Sequence, residues 1–111
     1  MNIIQWDDFA KLDIRVGTVV SCEFFAEARK PAYKMTLDFG KLGRLKTSAQ
    51  IVRLYQPEDL IGKQLVAVVN LAPKQIANTI SECLVLGAVE DDGKVVVLQP
   101  ERTVKNGTGI G

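Results

Sequence analysis

Between Pro73 and Cys83 the chain crowds Lys74, Gln75, Asn78, Thr79 and Ser81 into one short stretch. One ammonium, two carboxamides and two hydroxyls offer charge and directed hydrogen bonds, which is the equipment of a binding loop. Ile76 and Ile80 stand among them. They either pack back onto the body of the protein or present apolar surface to an extended polypeptide. Arg29 and Lys30, just before Pro31, and Lys34 and Lys46 on the segments that follow add cationic groups of the kind that contact a nucleic-acid backbone.

Catalysis finds little to hold. The chain has no histidine, no G-x-S-x-G elbow, no glycine-rich phosphate loop and no metal-ligand spacing. The adjacent carboxylates Asp7 and Asp8, Glu58 and Asp59, and Asp91 and Asp92 lie at helix starts or a turn, where capping and solvation account for them. No enzyme activity, cofactor or metal is expected.

The charges are segregated although the formal net charge is only +1. Residues 29–81 hold nine cations against three carboxylates, a balance of +6, and the rest of the chain holds five against ten, a balance of −5. A basic middle between acidic ends suggests a polyanion-binding face on a near-neutral protein. Serial base stacking is not favoured, because the few aromatic residues are better used as core and loop anchors. Cys22 and Cys83 lie far apart in apolar runs and read as free thiols of a reducing compartment. The first thirty residues carry five acids and no long apolar run, so neither a leader nor membrane insertion is expected and the location reads as cytoplasmic.

The elements that must position these groups are mostly strands. Residues 13–23 form the first, with Ile14, Val16, Val20 and Cys22 on one parity and Gly17 marking a bend. Residues 34–39 and 44–49 alternate cleanly around a turn at Gly40 to Gly43. Met35, Leu37, Phe39, Leu45 and Thr47 then face inward, and Lys34, Arg44, Lys46 and Ser48 share the outer face. Residues 65–69 and 83–86 are apolar on both parities, as in covered strands, with the polar loop between them. Asp91 to Lys94 is a hairpin turn before a last strand at Val95 to Leu98.

Helix is predicted only over residues 5–12 and as one or two turns within 50–62. Trp6 and Phe9 on the first helix need a cover, either the body of the protein or a second subunit. The tail 101–111 is frayed or ordered by pairing with something else. Six short strands with so little helix, in one domain of 111 residues, predict an all-β five-stranded Greek-key barrel of the OB type with short helical insertions.

The stretches LDIRVGTVV (12–20), EARKPAYKM (27–35), KTSAQI (46–51), PEDLIGKQLVAVVNLAPKQIA (57–77) and SECLVLGA (81–88), with VLQPE and NGT in the tail, carry a family resemblance. The chain resembles the CsaA proteins, export-related chaperones built on the tRNA-binding OB domain also found at the C-terminus of many methionyl-tRNA synthetases. The resemblance implies a homodimer whose terminal extensions, residues 1–12 and 99–111, build the interface, which gives Trp6, Phe9, Val104 and Ile110 a purpose. It implies binding of unfolded or exported polypeptides with delivery toward the Sec translocase, and binding of tRNA. The tRNA-binding pattern carries over as Lys34, Ser48, Asn70, Lys74 and Ser81. Leu84 stands where the tRNA-binding domains have methionine, and Gln75 where relatives often place a second basic residue. Both departures weigh against tight tRNA binding.

Overall fold

The computed structural model describes residues 1–111. Strand β1 (Ile14–Phe24) is the hub of a five-stranded sheet. It pairs antiparallel with β2 (Tyr33–Asp38) along its second half and with β4 (Gln64–Val68) along its first. Strand β2 pairs in turn with β3 (Arg44–Ala49), and β4 with β7 (Leu84–Val85), both antiparallel. Strands β5 (Lys74–Ile76) and β6 (Thr79–Ser81) form one hairpin, and β8 (Gly87–Val89) and β9 (Val95–Val97) another. The result is an all-β, nearly closed OB-type barrel, as the strand pattern predicts.

The alternation of β2 and β3 is as read from the sequence. Met35, Leu37 and Phe39 are buried, Thr47 is buried opposite Met35, and Lys34, Thr36, Lys46 and Ser48 face outward. In β1 the reading needs a correction. Val19, not Val20, is buried: the odd positions Gly17 and Val19 face the barrel while Ile14 and Val16 pack on the other side of the sheet, and the register slip between Val19 and Ser21 then brings Cys22 to the barrel side. Gly17 marks no bulge, since it pairs regularly with Leu65 and the irregularity of β1 lies between Val19 and Ser21; it is required by packing, because a Cβ there would lie 2.7 Å from the Phe39 ring.

Two apolar clusters result. Val19, Leu37, Phe39, Leu65 and Val97 fill the barrel with six neighbours, while Ile14, Val16, Val66 and Val68 lie on the opposite face of β1 and β4. Tyr33 and Tyr55 brace the first, the Tyr33 hydroxyl donating to Tyr55 O at 2.6 Å and the Val97 N–H donating to the Tyr55 hydroxyl at 3.1 Å. Cys83 is buried and Cys22 half-buried, both as free thiols; burial pushes each up to about 11.

The tail is ordered by its own chain. Gly107 N–H donates to Val16 O, Thr108 O accepts from Val16 N–H and Ile110 N–H donates to Ile14 O, all at 2.8 to 2.9 Å. These bonds use the edge of β1 that β2 leaves open. The Gln64 carboxamide grips both backbone groups of Val104, which packs on the second cluster.

Helix α1 (Trp6–Ala10) and helix α2 (Pro57–Leu60) start alike, Asp8 accepting the Gln5 N–H and Asp59 the Gln56 N–H. Helix α2 buries Leu60 in the core; α1 buries nothing, and Trp6 remains 89% exposed. The barrel of the same chain therefore does not cover it. No helix is long and apolar enough to cross a membrane.

Candidate ligand groove

Strand register assembles the outward residues into rows. Glu23, Lys34 and Ser48 lie side by side across β1, β2 and β3, and Ser21, Thr36 and Lys46 form the next row. The β5–β6 hairpin rises beside these rows and presents Asn78, Thr79 and Ile80. The space between is a groove of about 570 Å³, with Glu82 at its edge.

The stretch 73–81 reads from the sequence as an irregular loop; it is a hairpin. Its two-residue turn, Ala77 and Asn78, has no glycine to announce it, and Ala77 accepts the left-handed conformation at φ 49°. This ladder turns Asn78 and Ile80 to the groove and leaves Ile80 54% exposed. Ile76, read together with Ile80, is half-buried and does not line the groove.

The hairpin is fastened to the barrel by side chains. Glu82 N–H donates to Lys46 O at 2.7 Å, and the Glu82 carboxylate accepts the Lys46 N–H at 2.9 Å. Ser81 Oγ accepts the Ser48 N–H at 3.1 Å and lies 3.1 Å from Thr47 Oγ1, which donates to Cys83 O at 2.7 Å. Ser81 and the Ser48 backbone thus face the seam of the barrel, where their hydrogen bonds are already used.

Of the cations read from the sequence, Lys34 and Lys46 line the groove. Lys34 Nζ lies 3.5 Å from Glu23 Oε1 and 5.2 Å from the centre of the Phe25 ring. Lys46 makes no ion pair. Arg29 and Lys30 are exposed in the β1–β2 connection, and Lys74 and Gln75 are exposed on β5; none of the four lines the groove. Asn70 is elsewhere, bracing the exit of α1: its Oδ1 accepts the Asp13 N–H at 2.8 Å and its Nδ2 donates to Lys11 O at 2.7 Å.

The groove also holds residues the sequence reading passed over: Ser21, Glu23, Thr36 and Glu82. Thr36 was available from the parity of β2, and Glu23 from carrying the same outer face across to β1. Glu23, Lys34, Lys46 and Glu82 cancel, so the groove is charge-balanced, and no aromatic ring lines it. It suits an extended chain with hydrogen-bonding groups and a small apolar contact at Ile80 better than stacked bases.

Residues 14–109 match the family model described as "Putative tRNA binding domain". The chain is 42% identical over 107 residues to a methionine–tRNA ligase of Parabacteroides distasonis, a match covering 96% of this chain but 16% of the ligase. The chain thus spans about one sixth of the length of such curated relatives. Among solved structures it is similar to the chaperone CsaA of Bacillus anthracis, with TM-score 0.95, 52% identity, and coverage of 99% of this chain and 100% of that one. The CsaA chaperone protein of Picrophilus torridus gives 0.92 and 48%, covering 98% and 100%. A MetRS-related protein of Pyrococcus horikoshii gives 0.90 and 30%, covering both chains fully. With matches over nearly its whole length, the chain belongs to the tRNA-binding domain family and, within it, stands with the CsaA chaperones.

Proposed function

We propose that this chain is a non-enzymatic, cytoplasmic chaperone that holds extended segments of unfolded or export-destined polypeptides in the groove and passes them toward the Sec translocase. The observation that carries this reading is the charge-balanced groove walled by the exposed Ile80. The CsaA names of its structural neighbours support it. The test is retardation of aggregation of a denatured client, with binding of a labelled extended peptide. Ile80→Asp and Lys46→Ala are expected to weaken peptide binding about tenfold, the scale of one interface anchor. A protein that neither retards aggregation nor binds peptide overturns the proposal.

The active form in this reading is a homodimer. A five-residue helix that buries nothing is not stable alone, and Trp6 and Phe9 gain a cover if a second copy packs on them beside Val104 and Ile110. Sedimentation equilibrium should return twice the chain mass, falling to the monomer in Trp6→Ala/Phe9→Asp.

A second reading, tRNA binding, is favoured by the family match and by the +6 balance of residues 29–81. Its contacts are Lys46 and Lys34 in the groove with Arg29, Lys30 and Lys74 outside it. Binding of labelled tRNA should then fall steeply with salt, each phosphate neutralised adding roughly 0.7 to 0.9 to the log-log slope.

A further inference from the structure

We propose that Glu23 sets the ligand class of the groove by turning polyanions away. The inference rests on the reading of the groove as the ligand site. Glu23 stands directly opposite Lys34 in the β1–β2 ladder, with its carboxylate 3.5 Å from the ammonium. The two partners are unequally exposed: the Lys34 side chain is 27% accessible and that of Glu23 73%. Lys34 is drawn down between the Phe25 ring and the carboxylate, and the carboxylate itself is what meets an arriving ligand.

At the other edge Glu82 is tied to the Lys46 N–H, so it too remains on the groove wall. A phosphate that approaches Lys46 therefore finds one free cation between two carboxylates. Like-charge juxtaposition of this kind is how an interface rejects a wrong partner. A peptide main chain has no such difficulty, since it is neutral and its N–H groups are donors that a carboxylate accepts. The same residue that costs a phosphate thus costs an extended polypeptide nothing.

The test compares the intact protein with Glu23→Gln, which keeps the shape and removes the charge. Two probes are titrated by fluorescence anisotropy over a salt series: labelled tRNA and a short, neutral labelled peptide. Glu23→Gln is expected to raise tRNA affinity about tenfold at low ionic strength, since it removes a negative charge from the groove wall and releases the Lys34 ammonium 3.5 Å from it. The salt dependence should steepen by roughly 0.7 to 0.9 as Lys34 becomes free to neutralise a phosphate, and that extra slope should vanish in Glu23→Gln/Lys34→Ala. Peptide affinity should stay within about twofold, as expected for a probe without charge. An unchanged tRNA affinity in Glu23→Gln, while Lys46→Ala weakens peptide binding, overturns the assignment of Glu23 alone. If Lys46→Ala alters neither ligand, the groove reading falls and the role of Glu23 falls with it.

Discussion

Lys46 and Glu82 are joined in both directions, the Lys46 carbonyl accepting the Glu82 N–H and the Glu82 carboxylate accepting the Lys46 N–H. This reciprocal pair bonds the edge of β3 to the segment that closes the barrel, and both side chains line the groove. Barrel closure and the groove are therefore built from the same residues.

Cutting the seam should loosen both. Glu82→Ala leaves the Lys46 N–H without its acceptor and should cost about 1 to 3 kcal/mol, and Ser81→Ala about 1 kcal/mol. Urea unfolding measures the loss, and amide exchange at Lys46 and Ser48 should accelerate. Unchanged exchange at those two amides would contradict the role given to the seam.

Gly17 and Phe39 form a second matched pair. Gly17→Ala places a methyl 2.7 Å from the Phe39 ring and should destabilise the fold by about 1 to 3 kcal/mol, as overpacking does. Phe39→Leu in the same chain should recover part of that loss. A thermodynamic double-mutant cycle reads the coupling, and additive losses would rule it out.

Asn70 is tied to the exit of α1, bonded to Lys11 O and Asp13 N–H. Asn70→Ala should cost about 1 kcal/mol and speed exchange of the Asp13 amide. It should leave binding of tRNA and peptide unchanged. A large loss of tRNA affinity in that variant would restore Asn70 as a contact residue.

The two thiols set an alkaline limit. Burial is the leading cause that raises both Cys22 and Cys83 to about 11. The unfolded thiol ionises near pH 8.5, roughly, whereas the folded one stays protonated. Their contribution to stability is present in full below that value and is lost as pH rises toward about 11. Urea midpoints should decline over this window, less so in Cys83→Ala relative to its own neutral value. Thiol reagents should react slowly with the native protein at pH 8.

Much of this protein is determined by its sequence alone. Alternation in KMTLDF and RLKTSA states which side chains of β2 and β3 face the core, since a strand repeats every two residues. The turn between them brings Lys34 level with Ser48 and Thr36 level with Lys46.

Tertiary structure decided what alternation does not encode, namely which edges meet. Barrel closure carries Glu82 to Lys46 across 36 residues, and it covers both faces of β1, so that Val16 packs in one cluster and Val19 in the other. It draws Asn70 and Ser81 into the framework and leaves Arg29, Lys30 and Lys74 outside the groove. Above all it sets Glu23 against Lys34 and Glu82 beside Lys46, so that a basic middle segment yields a neutral groove. Charge counted along a chain says nothing of charge across a ladder, because the neighbours that screen a cation are supplied by strand pairing.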